Sequence, residues 1–228
     1  MLAAALGAAG AASAPAPARA QTIDRLVAVV GGQVLTESDL RAALALGLLP
    51  APGQSSAPTV PPTPAAGGVV VPEPGAAFPR DVLDRAIDRE LMRAEVERFG
   101  VTDLSTEDVD RRVAAIRARF PGPQAFTDAL ARVGMTEARL RAWLSDDLRI
   151  QRYIAERFEP AAQPTDEDVL QYYQSREREF LLDGRPRPFE DVQTEVRERL
   201  LDERRRTLVA EWVAGLRRRA EIVIRPPR

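Results

Sequence analysis

The sequence predicts a mainly α protein, a multi-helix body with a small antiparallel sheet formed by an N-terminal hairpin and a C-terminal strand. Three observations predict it. Between residues 80 and 219, apolar residues recur at helical spacing, with Ser or Thr caps ahead of several runs and Gly or Pro at their ends. Near the start, Leu26, Val27, Val29 and Val30 are followed by Gly31-Gly32 and then Val34-Leu35, the pattern of a two-residue hairpin. A hairpin this small needs a third strand or a helical body to cover it, and the chain offers both: the helical middle and, at the far end, the strand Ile222-Val-Ile224.

Residues 1–20 are Ala-rich and end in Ala18-Arg19-Ala20, an Ala-x-Ala pattern behind a short apolar stretch. They read as a signal peptide cleaved after Ala20, which implies a periplasmic or otherwise exported protein. The apolar part stops near Ala14, short of the ~20 residues a membrane span needs, so no stable span is expected after cleavage. Residues 21–49 carry the hairpin and the first helix, for which Thr36 is the N-cap and Asp39 favours the positive helix end.

Residues 50–79 are crowded with Pro, Gly, Ala, Ser and Thr and nearly lack charge. Such a stretch cannot bury enough apolar surface to offset its ordering entropy, so a disordered insert is expected. A strong helix follows between Pro79 and Gly100, carrying Val82, Leu83, Ala86, Ile87 and Leu91. Ser105 caps the next, with Val109, Val113, Ile116 and Phe120 on one face, and Pro121-Gly-Pro123 breaks it.

A short helix runs from Gln124 to Val133, and Thr136 opens a longer one with Leu140, Trp143, Leu144, Ile150, Tyr153, Ile154 and Phe158. Thr165-Asp-Glu-Asp168 is a further capping box ahead of Val169, Tyr172 and Tyr173. Residues 80–180 thus form a helical domain, residues 181–188 a short linker, and residues 189–228 a long helix and the closing strand of the same domain. As one helix, Phe189 to Arg219 would span ~45 Å. Its apolar stripe (Val192, Val196, Leu200, then Leu201, Leu208, Trp212, Leu216) shifts along its length.

The chain contains neither Cys nor His, which excludes disulfides, thiol nucleophiles, Ser-His-Asp triads and the common Cys and His metal sites. A net charge of −2 argues against a general nucleic-acid binder. The acidic clusters around Asp108, Asp147 and Asp168 invite a metal reading. Two of the three sit in first helical turns, where they cap, and no Ca²⁺-loop pattern occurs. No cofactor or metal is expected. The basic runs Arg204 to Arg206 and Arg217 to Arg219 read as a solvated face with i,i+4 pairs such as Glu195–Arg199 and Asp202–Arg206.

Several pieces carry a resemblance. Ile23 to Val30, a turn, and Val34 to Leu40 are followed by Ala86-Ile-Asp-Arg-Glu-Leu91, by the Gly100 to Val109 turn, by Phe126 to Met135, and by Arg149-Ile-Gln-Arg152. In order and spacing this resembles the N-terminal domain of the SurA family of periplasmic chaperones and their peptidyl-prolyl isomerase relatives. In that family a parvulin-type isomerase domain follows the N-terminal domain. Here residues 181–188 are too few to hold one, since domains begin at ~50 residues.

The resemblance implies an ATP-independent holdase of unfolded or outer-membrane polypeptides, and the missing isomerase domain implies that it is not an enzyme. Phe126, Met135, Leu140, Trp143 and Phe158 are the residues expected to line an apolar client groove, since adaptable apolar surface is what such binding uses. Two other readings stand beside it. One is an adaptor that docks a partner, or a second copy as a homodimer, through the long C-terminal helix. The other is an active isomerase, as family association alone would suggest.

Overall fold

The computed structural model describes residues 24–49, 75–100, 104–182 and 184–225. The expected signal peptide and the expected insert up to residue 74 lie outside them. In chain order the elements are β1 (Leu26–Val30), β2 (Gln33–Thr36), α1 (Glu37–Ala45), α2 (Arg80–Arg98), α3 (Thr106–Arg117), α4 (Pro123–Arg132), α5 (Glu137–Ala162) and α6 (Asp166–Ser175). Then come β3 (Leu181–Leu182), β4 (Arg185–Pro186), α7 (Phe189–Arg219) and β5 (Ile222–Ile224).

Strand β1 is the middle of an antiparallel three-stranded sheet, with β2 on one side and β5 on the other. Gly31 and Gly32 have φ of +56° and +86°, the conformation a tight hairpin turn needs and an ordinary side chain resists. An extra residue between Leu26 and Ala28 makes a bulge against β2. The Gly31 amide donates to the Glu221 carbonyl, and the Arg225 amide to the Val27 carbonyl, so the two chain ends are tied at both ends of β5. The fold class is as expected: mainly helical, with the sheet formed by the N-terminal hairpin and the C-terminal strand.

Among the described residues, four apolar clusters hold the helices. The sheet packs Ala28, Val30 and Leu35 with Leu40 of α1, with Val82, Ile87 and Leu91 of α2, and with Leu216 of α7. Ala42 and Leu46, at the end of α1, meet α3, α4 and α5 around Val113, Ile116, Phe126, Leu130, Met135, Leu140 and Leu144. Val96, Ile150, Tyr153 and Ile154 form a third cluster, on which Trp212 of α7 lies. Val169 and Tyr173 of α6, Phe180, and Val192, Val196 and Leu200 of α7 form the fourth.

Helix α7 belongs to two environments, and that explains its shifting stripe. Its first half buries Val192, Val196 and Leu200 against α6 and the residues after it. Its second half turns Trp212 and Leu216 toward α2, α5 and the sheet. The Trp212 ring lies 5.4 Å from Tyr153 and 5.5 Å from Phe158 between centroids.

Three details differ from the sequence reading. The expected short linker contains a strand pair: β3 (Leu181–Leu182) pairs with β4 (Arg185–Pro186), the Arg187 amide donates to the Phe180 carbonyl at 2.9 Å, and the Tyr173 hydroxyl donates to the Arg187 carbonyl at 2.5 Å. Gly75, in the last part of the expected insert, is held by residues flanking the N-terminal hairpin. The Gly75 amide donates to buried Glu37 at 2.7 Å, and Arg25 donates to the Gly75 carbonyl at 2.9 Å. The basic runs are also not all solvated. Arg217 bonds Asp84 and Asp88 on α2, and Arg204 bonds Asp168 on α6. Glu195 pairs with Arg199 as expected, but Asp202 pairs with Arg205 instead, while Arg206 donates to the Asp202 backbone carbonyl.

Candidate functional site

The five residues expected to line a client groove are distributed over separate packed clusters. Phe126, Met135 and Leu140 are 2%, 4% and 0% exposed and form part of one packed cluster. Trp143 is half-buried, with the Arg89 guanidinium 3.6 Å above its ring. Phe158 is half-buried against Trp212. They are divided among three packed regions and do not form one open surface. Size and apolarity draw a side chain inward as readily as they equip it to bind.

An open groove lies instead where the end of α5, α6 and the middle of α7 meet. Its volume is about 500 Å³, and it is lined by Ala161, Tyr172, Arg176, Leu200, Glu203, Arg204, Thr207 and Leu208. The α7 residues fall at i, i+3, i+4, i+7 and i+8, which is one helix face. On α6, the Thr165 capping box sets the helix start: Thr165 accepts from the Asp168 amide at 3.2 Å, and Asp168 accepts from the Thr165 amide at 2.9 Å. From that start, Tyr172 and Arg176 follow one turn apart on the side that faces α7.

The rim is a chain of paired charges. Arg176 makes a two-pronged contact with Glu203, at 2.6 and 3.1 Å, and its guanidinium stacks 4.2 Å from the Tyr172 ring centre. Arg204 grips Asp168 the same way, at 3.0 and 2.9 Å. The Arg176 hydrogen bond holds the Glu203 carboxyl below its ordinary range, and the Arg204 bond does the same for Asp168, with help from the Thr165 amide. Partial burial and the Glu203 carboxylate beside it push the Tyr172 hydroxyl up. At neutral pH the groove therefore presents ionised, paired acids and bases and a protonated phenol beside the aliphatic side chains of Ala161, Leu200 and Leu208.

A second exposed apolar feature stands on the same lobe. Leu181 and Leu182, in β3, are 47% and 64% exposed. The acidic clusters are taken up in ion pairs: Asp108 with Arg111, Asp110 with Arg141, Asp146 with Arg149, Asp147 with Arg89, and Asp166 with Arg197. Among the described residues no three Asp or Glu side chains converge as a metal-ligand set, and no helix is long and apolar enough to cross a membrane.

The sequence reading missed Arg176, Glu203, Arg204 and Thr207. One signal was available: the apolar stripe of α7 breaks between Leu201 and Leu208, and the residues in that gap continue the same face as polar ones. Comparison with protein-family models, with curated proteins and with solved structures returns no match.

Proposed function

We propose that the chain is an ATP-independent holdase that binds extended, unfolded polypeptide, in keeping with its resemblance to the SurA N-terminal domain. The observation that carries this reading is the open groove between α5, α6 and α7. Its lining combines aliphatic side chains (Ala161, Leu200, Leu208), the Tyr172 ring and the polar groups of Glu203, Arg204 and Thr207. Backbone amides and carbonyls of a bound segment would meet those polar groups, and its apolar side chains the aliphatic ones, without a requirement for one sequence. The exposed Leu181–Leu182 pair supplies further apolar contact at the hairpin. On this reading the protein is exported, and its clients are unfolded secreted or outer-membrane polypeptides.

The test is aggregation of a chemically unfolded client in the presence of the purified chain, without nucleotide. Protection at stoichiometric amounts is expected. Thr207 is exposed on the groove wall, so Thr207→Trp fills the groove without disturbing the core. That variant should keep its melting temperature and lose protection severalfold. No protection by the unaltered chain would overturn the reading. Full protection by a folded Thr207→Trp would remove the groove from it.

A further inference from the structure

We propose that β5 is a self-pairing strand: two copies of this chain associate antiparallel, β5 against β5, and join their sheets into one of six strands. The inference stands apart from the groove and rests on the hydrogen-bond phase and the charges of five residues.

Strand β5 is at the end of the sheet order β2-β1-β5. Its register with β1 places Ile222 opposite Val30, Val223 opposite Val29 and Ile224 opposite Ala28. Because the Glu221 carbonyl accepts from Gly31 and the Arg225 amide donates to Val27, residues 221, 223 and 225 direct their backbone groups at β1. Antiparallel strands alternate, so the amides and carbonyls of Ile222 and Ile224 face outward, along an edge that no other strand of the described residues pairs with.

A two-fold axis at Val223 uses that phase fully. It sets Ile222 of each copy opposite Ile224 of the other, and both pairs are then of the hydrogen-bonded type, with four backbone bonds in all. The same register brings Glu221 of each copy opposite Arg225 of the other, twice, as directly facing side chains of opposite charge. Val223 and Ile224, 39% and 38% exposed, are covered by the incoming strand. The match is reciprocal, as an interface between identical surfaces must be. An arbitrary extended peptide could satisfy the backbone groups but not both charge positions, so the second copy is the occupant that these residues specify.

Sedimentation velocity of the full chain across a concentration series tests this. A monomer–dimer equilibrium is expected. Glu221 and Arg225 are both exposed, so single reversals leave the fold intact, which an unchanged melting temperature verifies. Glu221→Arg puts Arg opposite Arg at two places, and Arg225→Glu puts Glu opposite Glu; each should weaken association by about tenfold. The double variant E221R/R225E restores both pairs and should dimerise like the unaltered chain, as should an equimolar mixture of the two single variants. A chain that stays monomeric to about 1 mM overturns the proposal. So do single variants that associate as tightly as the unaltered chain, or a monomer that binds an added strand-forming peptide at this edge.

Discussion

Arg89 and Asp147 form one of the more buried ion pairs among the described residues. Arg89 is 9% exposed, bonds Asp147 at 2.7 Å and the Trp143 carbonyl at 3.0 Å, and covers the Trp143 ring. Burial pushes the Asp147 carboxyl up, and the facing guanidinium opposes that. Removing one partner strands the other charge in a poorly solvated place. Arg89→Ala is therefore expected to cost about 3 kcal/mol in urea unfolding, while replacing both residues with Met and Leu should recover most of the loss. Asp168 offers a pH test. Arg204 and Thr165 hold its folded pKa below the unfolded value, so its contribution is present above pH ~4 and is lost as pH falls through the folded value. The circular dichroism of Asp168→Asn should change less with pH between about 4 and 2 than that of the unaltered chain. A parallel acid limb would show that Asp168 contributes nothing there.

Turns and caps decide the elements. Gly31 and Gly32 both hold positive φ with open space where a side chain would begin, so the cost of a substitution is conformational rather than steric. Gly32→Val should destabilise by about 1 to 2 kcal/mol, and Gly31→Asn much less, since Asn tolerates that region. Thr165→Ala removes one half of the capping box and should cost about 1 kcal/mol. Hydrogen exchange should place that loss in α6 and the hairpin after it. Uniform loosening across the sheet as well would mean that α6 and the body unfold as one unit. The elements themselves were legible in the sequence, because each cap and break acts within a few residues of where it stands. Thr36, Ser105, Thr136 and Thr165 all accept a backbone amide at the start of the expected helix. The β3–β4 hairpin was not legible. Two-residue strands carry no periodicity, and their pairing is fixed by Tyr173 and Phe180, which belong to the cluster beneath.

For the whole molecule, β5 is what makes the chain ends one structure. It lies on β1, and α7, directly before it, touches α2, α5 and α6. A chain ended after Ala220 would expose the β1 edge and lose the covering of Ile222. It should lose about 2 to 3 kcal/mol, read as a lower urea midpoint, with the α6 lobe least affected. Equal stability of the shortened chain would mean that the sheet contributes nothing to holding the body.

By itself the sequence determined the helices, their caps, the glycine turn and the mainly α class with its three-stranded sheet. These follow from local spacing, and from the small hairpin's need for cover, for which the β-forming run at the far end was the available strand. Tertiary structure decided which apolar residues are spent on the core and which remain at a surface. Phe126, Met135 and Leu140 look no different in sequence from residues of a binding groove, yet the helices around them close over them. Arg176, Glu203, Arg204 and Thr207 look like ordinary solvated positions, yet three helices bring them around one opening. Side-chain chemistry sets what a residue can do. Whether it faces a neighbour or an opening depends on the packing of elements distant in the chain, and local pattern carries no record of that.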